Sequence, residues 1–395
     1  MSKGRQPNES FDDYRTRVID PISDSFCGAK WYNATIWLGH GGTASCHHPP
    51  AHNIDKEEIK TNPSAIHNTR HKKKMRQMML EGTRPKECEY CWKIEDMEKD
   101  ADGSRPVSDR TFKTHIYSDA ELQRIANMDP AEDVNLKTLE IAFDRTCQFA
   151  CSYCNPAFST TWVKDIRTNG GYSNIRSDAR GHFIDDAPYA DPFEKDEENP
   201  YVKAFWDWWP ELSLELDELR ITGGEPTMSA SVWGLFDWFK ENGESHPNAK
   251  KMRYAINSNL GAKDTLITKL AEATQHVERF HLYTSGEAFG AQGEYIRDGL
   301  DFPQFSQNCV KMLREGKIEG FHMMMTINAL CLDSMVEFLD WVLELKREFG
   351  HNKPSFSVNI LRFPSFQSAL TLPDEIRTKY HDQLLAWYNH GNKIN

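Results

Sequence analysis

The sequence of 395 residues has no long apolar run, since no stretch of about 18 apolar residues occurs in it. The first ten residues, MSKGRQPNES, lack the apolar segment that a secretory signal needs. Basic residues are not in excess, because 47 Lys and Arg stand against 59 Asp and Glu and give a formal net charge of -12. These absences argue against a membrane protein and against a general attraction to nucleic acid or anionic lipid, so we expect a cytoplasmic protein.

Internal repeats and low-complexity tracts are absent too, and the 39% of hydrophobic residues is typical of a globular chain. What the sequence does have is nine cysteines. The cytoplasm keeps thiols reduced, so a disulfide framework is a poor explanation and metal binding or catalysis a better one. Seven of the nine fall into two groups, whereas Cys309 and Cys331 lie in apolar contexts and are expected in the core.

From about residue 136 onward, short aliphatic or β-branched runs alternate with amphipathic helical patterns. The predicted strands are Leu136–Phe143, Glu218–Thr222, Met252–Asn257, Arg279–Thr284, Phe321–Ile327 and Ser355–Leu361. The predicted helices are Ala157–Arg167, Ala230–Asn242, Lys263–Thr274, Phe302–Glu315, Asp333–Phe349 and a terminal helix at Pro373–Asn395. Such alternation is typical of βαβ units and a parallel sheet. Six strands predict an α/β fold with a partial, open (βα)6 TIM-like barrel.

Residues 1–130 are polar and irregular, and we expect them to form a metal-binding domain that precedes the barrel. The barrel is predicted over 131–365 and a C-terminal helical extension over 366–395. Residues 169–200 are dominated by Gly, Pro, Asn and Asp, which predicts a long loop inserted into the barrel. The tryptophan-rich run FWDWWP at 205–210 follows it and is expected to be a packing anchor.

Three cysteines lie within eight residues directly after the first predicted strand: Cys147, Cys151 and Cys154. Their thiolates can converge on one metal centre. Four thiolates would saturate a structural zinc ion or an ordinary iron–sulfur cluster, whereas three leave one iron of a cubane open to another ligand. A chance cluster, or a zinc site that lacks one ligand, is the alternative.

The loop C-x3-C-x-aromatic-C, with Tyr153 at the aromatic position, resembles that of the radical S-adenosylmethionine (SAM) superfamily. The resemblance covers roughly residues 136–362. It implies a [4Fe–4S] cluster whose open iron binds SAM, and reductive cleavage of SAM to a 5′-deoxyadenosyl radical that abstracts hydrogen from a substrate. Cys147, Cys151 and Cys154 would be the catalytic, cluster-binding residues.

The turn Gly223-Gly224-Glu225-Pro226 follows the second predicted strand and matches that family's motif for the amino group of SAM. Both this turn and the cysteine loop fall at carboxyl ends of strands, where ligands bind in α/β folds. Arg297 is expected to bind the SAM carboxylate, since a guanidinium binds carboxylate bidentately. The resemblance adds polar residues at later strand ends, each of which is equally typical of a strand-end cap: Asn257 and Asn259 for the ribose, Ser285, and Asn328 near the adenine.

Four further cysteines supply the ligand count of a closed metal site or a second cubane: Cys27, Cys46, Cys88 and Cys91. Their pattern resembles the SPASM and twitch auxiliary domains, which implies a second [4Fe–4S] cluster. In that family the auxiliary domain usually follows the barrel, whereas here it precedes it. Zinc is the alternative metal, and His47 or His48 could replace one cysteine.

An amphipathic helix is predicted over Pro63–Leu80, ended by Gly82. Its basic run, His71–Arg76, is expected to be a solvated helix face more than a contact for RNA or an acidic peptide. Nucleic acid is therefore not an expected partner.

The resulting function hypothesis is a radical SAM oxidoreductase or maturase with two [4Fe–4S] clusters. A peptide or protein is the first substrate class, a small metabolite (a dehydrogenase) the second, and a modified RNA base the third. A flavodoxin or ferredoxin is the reducing partner that the resemblance implies. The rival from another class is a non-catalytic interaction protein stabilised by zinc or iron.

Overall fold

The computed structural model describes residues 4–99, 101, 103–177, 183–184, 198–350 and 352–390. The chain divides into two compact units. The first unit comprises Met1–Ile141 with Pro192–Glu218, and the second comprises Ala142–Asp191 with Leu219–Asn395. Among the described residues, every helix is too short or too polar to cross a membrane.

The described residues form eleven strands and fifteen α-helices. The strands are β1 Asn33–Trp37, β2 Gly42–Ala44, β3 His52–Asn53, β4 Thr138–Ala142, β5 Ala150–Cys151, β6 Glu218–Ile221, β7 Arg253–Ser258, β8 Phe280–Ser285, β9 Arg297–Asp298, β10 Gly320–Ile327 and β11 Ser355–Ile360. The helices are α1 Phe11–Tyr14, α2 Ala29–Tyr32, α3 Lys56–Thr61, α4 Arg70–Leu80, α5 Glu89–Glu95, α6 Asp109–Thr114, α7 Asp119–Ala126, α8 Thr160–Asn169, α9 Pro200–Glu215, α10 Ala230–Asn242, α11 Asp264–Thr274, α12 Gly290–Ile296, α13 Phe302–Glu315, α14 Met335–Phe349 and α15 Asp374–His390.

The second unit is built on a parallel sheet in the strand order β11-β10-β8-β7-β6. Strands β7 and β8, β8 and β10, and β10 and β11 pair in parallel registers. Helices α10, α11, α13 and α14 connect successive strands. The α/β class with parallel strands is therefore confirmed, and the six predicted strands are present with ends displaced by at most two residues.

Helices α10 and α13 begin and end where the sequence predicts. Helix α8 begins three residues later than predicted, at Thr160, because the Ser159 hydroxyl caps it by accepting from the Thr161 and Trp162 backbone N–H groups at 3.2 and 3.4 Å. Most of the predicted loop at 169–200 lies outside the described residues, and so do residues 391–395 of the predicted terminal helix.

The predicted helix over Pro63–Leu80 is wrong in its first part. Pro63–Ile66 forms a 3₁₀ turn, and the Thr69 hydroxyl then caps a new helix, α4, by accepting from the Lys72 backbone N–H at 3.1 Å. The basic run on α4 is also not a uniformly solvated face. Lys72 and Arg76 point inward and are only 1% and 0% exposed.

The first unit has a sheet edge in the order β4-β1-β2-β3, in which β2 pairs antiparallel with both β1 and β3, and it has an aromatic core. Members of that core include Tyr14, Phe26, Trp31 and Tyr32, together with Cys88 and Cys91. The tryptophan-rich run lies on α9, where Phe205, Trp208 and Trp209 are buried, so its predicted packing role is confirmed. Cys309 and Cys331 are fully buried in the second unit, as predicted.

Candidate metal and cofactor sites

The three-cysteine loop lies between β4 and α8 and is fixed by a short ladder. Within it, β5 pairs antiparallel with β9, so that Cys151 is opposite Arg297 and Ala150 is opposite Asp298. The Cys154 backbone N–H donates to the Cys151 carbonyl at 2.9 Å, which closes a tight turn between these two cysteines. The ladder thus brings a guanidinium from 146 residues further along the chain to the loop that carries the thiols.

Burial determines the acidity of these thiols. It raises the pKa of Cys151 to about 11 and that of Cys154 to about 12, and it raises the pKa of Cys147 as well. The three groups are therefore protonated thiols at neutral pH unless a cation lowers their pKa. An iron or zinc centre would do so, because the thiolate is the form that binds metal.

The spacing of the sulfur atoms bears on the kind of centre. Among the described residues, no three cysteine sulfurs lie within 4.8 Å of one another. A single tetrahedral zinc ion, with Zn–S bonds of about 2.3 Å, places its sulfur ligands only about 3.8 Å apart. The three sulfurs of the loop are therefore not gathered around a single-ion position.

The glycine turn after β6 packs directly on the cysteine loop. Gly223 has φ +112°, and a Cβ there would lie 2.6 Å from the Asp144 carbonyl oxygen. A Cβ on Gly224 would lie 2.2 Å from the Thr146 carbonyl oxygen, to which the Glu225 backbone N–H donates at 2.7 Å. The space that these glycines leave is filled by the backbone of the loop, so they hold the two segments together. Pro226 follows, buried, as the first residue of a 3₁₀ turn.

The Glu225 carboxylate is 2% exposed and already accepts four hydrogen bonds. Thr227 donates to Oε1 through its backbone N–H (3.1 Å) and its hydroxyl (2.7 Å), and the Ser258 hydroxyl donates to the same oxygen at 2.8 Å. The Asn259 backbone N–H donates to Oε2 at 2.7 Å. Burial raises the pKa of Glu225, although these donors oppose the rise. Only Oε2 keeps room for a further donor such as an ammonium group.

The asparagines after β7 and β10 are placed differently from one another. The Asn259 amide lies beside the loop, with Nδ2 3.9 Å from the Cys147 sulfur and Oδ1 accepting from Gln148 at 3.0 Å. Asn257 Oδ1 is buried without a hydrogen-bond partner among the described residues. Asn328 instead caps its own strand end, donating to the Thr326 carbonyl at 3.1 Å. Ser285 ends β8 and is partly buried.

Arg297, Glu287 and Tyr153 form a buried polar group next to the loop. The Tyr153 hydroxyl donates to Glu287 Oε1 at 2.6 Å, and Arg297 Nη1 lies 3.4 Å from the same oxygen and 3.3 Å from the Tyr153 hydroxyl. Burial alone would lower the pKa of Arg297, but the charges of Tyr153 and Glu287 raise it above its usual value. Arg297 Nε and Glu287 Oε2 are buried with no hydrogen-bond partner in the described part of the chain.

Glu287 is the residue of this group that sequence reasoning did not assign. Its position two residues after β8 was the only available signal, and the pairing with Arg297 depends on how α12 folds back between them. A buried polar atom without a partner costs about 1–3 kcal/mol. The two unpaired atoms therefore favour a polar ligand at this place.

In the first unit, the four other cysteines line one cavity with about 380 Å³ of space, including its opening to solvent. Burial raises the pKa of Cys88 to about 12 and that of Cys91 to about 12, and it also raises the pKa of Cys46. In both Cys88 and Cys91 the charges of the other cysteines, Cys27 included, add to the rise. The four thiols are thus near neighbours around one cavity.

The two histidines after Cys46 are paired with a carboxylate. Asp109 Oδ2 lies 2.7 Å from His48 Nε2 and 3.4 Å from His47 Nε2. The ring of His48 stacks on Tyr90 at 3.8 Å, and both His48 and Asp109 line the cysteine cavity. These contacts use Nε2 of each ring, so either histidine could replace a cysteine ligand through Nδ1 and keep Asp109 on its other nitrogen.

No protein-family model and no curated protein matches the chain. Among solved structures, the chain is similar to Streptococcus suis SuiB bound to S-adenosylmethionine, at 14% identity over 93% of this chain and 69% of that one, with a TM-score of 0.41. It is also similar to anSMEcpe with bound AdoMet, at 17% identity over 64% of this chain and 61% of that one, with a TM-score of 0.37.

A third similar structure is SuiB bound to the precursor peptide SuiA, at 13% identity, 91% of this chain, 69% of that one and a TM-score of 0.40. Two of these three structures are bound to S-adenosylmethionine and the third to a precursor peptide. At such identities and TM-scores the likeness by itself assigns no activity, cofactor or substrate to this chain.

Proposed function

We propose that this chain is a radical SAM enzyme whose second unit is a partial (βα)6 barrel and whose [4Fe–4S] cluster is held by Cys147, Cys151 and Cys154. The observation that carries the proposal is the pairing of Cys151 with Arg297. It sets a buried guanidinium beside a loop with three sulfur donors and so joins a carboxylate-binding group to an incompletely ligated metal centre.

The residues of the loop fit the cluster in number and in ligand type. Three thiols leave one iron of a cubane without a protein ligand, and their sulfurs are not gathered closely enough for a single ion. When bound, the cluster and SAM together supply a 5′-deoxyadenosyl radical, which is chemistry that no side chain of this chain provides.

The chain's own residues would bind and orient SAM. The Arg297 guanidinium, with its unpaired Nε, would bind the SAM carboxylate through two parallel hydrogen bonds. Glu225 Oε2 would accept a hydrogen bond from the SAM ammonium group. The unpaired Oδ1 of Asn257 would accept from a ribose hydroxyl. Tyr153, Gly223, Gly224, Pro226, Asn259 and Ser285 complete the proposed site, and Asn328 would lie near the adenine.

We further propose a second [4Fe–4S] cluster at Cys27, Cys46, Cys88 and Cys91, with zinc as the alternative. The shared cavity supports one centre held by all four residues. Four thiols suit either centre in number, and a cluster at Cys147, Cys151 and Cys154 favours iron–sulfur here, because the cell would then already supply such clusters to this chain. The boundaries 1–130, 131–365 and 366–395 remain our proposal for the domains.

The substrate class that we propose is a peptide or protein, with a small metabolite as the alternative. An auxiliary cluster in the same chain as a SAM-binding one is the feature that favours it. The reducing partner would be a flavodoxin or ferredoxin, and the enzyme would work in the cytoplasm.

The test is product formation by the full chain after anaerobic reconstitution with iron and sulfide. With SAM and dithionite, the wild type should release 5′-deoxyadenosine, and Cys151→Ala should release none while retaining iron in the first unit. Cys309→Ala is the matched control, because it removes a buried thiol away from both sites and should leave the product. Absence of 5′-deoxyadenosine from a fully iron-loaded wild type would contradict the proposal and favour a structural role for the metal.

A further inference from the structure

Two consecutive histidines of the first unit turn the same ring nitrogen toward one carboxylate oxygen. His48 Nε2 lies 2.7 Å and His47 Nε2 3.4 Å from Asp109 Oδ2. These three atoms all lie within 4.8 Å of one another. The histidines stand between β2 and β3, whereas Asp109 is the first residue of α6. Three atoms of the kinds that bind metal ions therefore converge from two segments that are far apart in sequence.

Hydrogen bonding alone accounts for only part of this arrangement. The 2.7 Å contact of His48 is an ordinary hydrogen bond, but 3.4 Å is long for one. The His47 side chain is 63% exposed, so water would serve its ring as well as Asp109 does. A metal ion with bonds of about 2.0–2.2 Å to nitrogen and oxygen separates neighbouring ligand atoms by about 3.0–3.5 Å. Both contacts lie within a few tenths of an ångström of that range.

The protein holds the histidine rings in place on one side of this group and leaves the other side open. The ring of His48 stacks on Tyr90, with ring centroids 3.8 Å apart and 15° between the planes. The ring of His47 lies 4.3 Å from that of His48. The side chain of His48 is 14% exposed, whereas that of Asp109 is 34% exposed. An ion bound here would therefore keep coordination positions on the solvent side for water or another ligand.

We propose that His47, His48 and Asp109 form a site for one divalent transition-metal ion, separate from the four-cysteine centre. Two imidazoles and one carboxylate suit Zn(II), Fe(II) or Co(II), whereas Ca(II) and Mg(II) take oxygen ligands. Three protein ligands leave at least one position open, as catalytic metal sites do. The ion would bind beside the cysteine cavity, since His48 and Asp109 also line it. The proposal does not depend on which metal the cysteines hold.

Cobalt(II) tests the site in the full chain, because thiolate-bound cobalt absorbs strongly by sulfur-to-metal charge transfer and cobalt bound by nitrogen and oxygen does not. After anaerobic reconstitution with iron and sulfide, equilibrium dialysis should find one bound cobalt ion without that absorption. His47→Ala should lose this ion and keep its iron. His381→Ala is the matched control and should bind cobalt as the wild type does. His381 also lies beside a carboxylate, Asp382 at 3.1 Å, but that pair has no second histidine in the part of the chain that the structure describes.

A second variant, Asp109→Asn, keeps the size of the side chain and removes the charge of the ligand, so it should weaken cobalt binding by roughly tenfold or more. A wild type that binds no such ion, or equal cobalt in His47→Ala and wild type, would overturn the proposal. Loss of iron together with cobalt in His47→Ala would assign His47 to the cysteine centre and overturn it too.

The same experiment separates this site from the proposed second cluster. If the chain takes up no iron, the cluster is wrong, and cobalt titration of the metal-free chain still decides the site. The charge-transfer absorption then reports cobalt at the cysteines, and the cobalt that binds without it is the ion that His47→Ala should lose.

Discussion

The Glu225 carboxylate accepts a hydrogen bond from the backbone N–H of Asn259 at 2.7 Å, and it thereby ties the turn after β6 to the end of β7. The Asn259 side chain in turn reaches the Cys147 sulfur at 3.9 Å. Glu225 thus supports the cysteine loop indirectly, through Asn259, in addition to the role proposed for it in binding an ammonium group.

Replacing Glu225 with Ala should therefore destabilise the protein as well as weaken SAM binding. The change leaves four buried hydrogen-bond donors without an acceptor, and we expect a loss of about 3 kcal/mol in the free energy of unfolding. Urea unfolding of the metal-free chain measures it. A loss under about 0.5 kcal/mol would show that the four hydrogen bonds do not hold the turn.

Gly223→Ala should disrupt the cysteine loop, whereas Gly290→Ala should not. Both glycines have positive φ, +112° and +56°, so both changes carry the same kind of backbone strain, about 1–2 kcal/mol. Only at Gly223 would the new Cβ also collide with the Asp144 carbonyl. Iron content after reconstitution should fall to that of the first unit alone in Gly223→Ala and stay near wild type in Gly290→Ala. Equal iron in the two variants would contradict the close packing of turn and loop.

Arg297→Lys should weaken SAM binding by roughly tenfold or more, because Lys keeps the charge but loses the planar fork that binds a carboxylate. Equilibrium binding of SAM to the iron-loaded protein measures this. Arg314→Lys is the control, since Arg314 is exposed and paired with Glu348 at the surface. An unchanged SAM affinity in Arg297→Lys would remove Arg297 from the site.

The pH dependence of stability should differ between metal-free and metal-loaded protein. In the metal-free fold the pKa values of Cys88, Cys91 and Cys154 are about 12, and that of Cys151 is about 11, above the usual value of about 8.5. The folded state therefore binds these protons more tightly than the unfolded state does. Stability should be unaffected by them below about pH 8.5 and should fall as the pH rises from there toward 11–12.

Metal-loaded protein already holds the cysteines as thiolates, so this alkaline loss should be smaller in it. Melting temperatures between pH 7.5 and 10.5 (about one unit below and two above the usual thiol pKa) make the comparison. Parallel curves for the two forms would mean that the thiols are not metal ligands.

The strands and most helices of the second unit could be read from the sequence, because apolar periodicity and capping residues are local signals. The start of α8 and the break before α4 were missed, since Ser159 and Thr69 act as caps only where the chain turns at those points. The inward direction of Lys72 was missed for a different reason. A basic run is ordinarily solvated, and burial here depends on partners such as Thr43, far away in sequence.

The cysteines of both groups stand out by spacing alone, whereas the residues that support them do not. Glu287 joins Tyr153 and Arg297 across 134 and 10 residues respectively. The four internal donors to Glu225 likewise come from two separate strand ends. Such contacts follow from the tertiary fold, so sequence reasoning found the candidate metal ligands and left much of their surroundings unassigned.

The measurement that tests the central claim most directly is electron–nuclear double resonance on the reduced, iron-loaded wild type with SAM labelled by ¹⁷O in its carboxylate. If three cysteines leave one iron open, the label should show hyperfine coupling to a [4Fe–4S] cluster, and the coupling should vanish in Cys151→Ala. A cluster signal that SAM leaves unchanged, or a metal at Cys147, Cys151 and Cys154 that is zinc, would contradict the account.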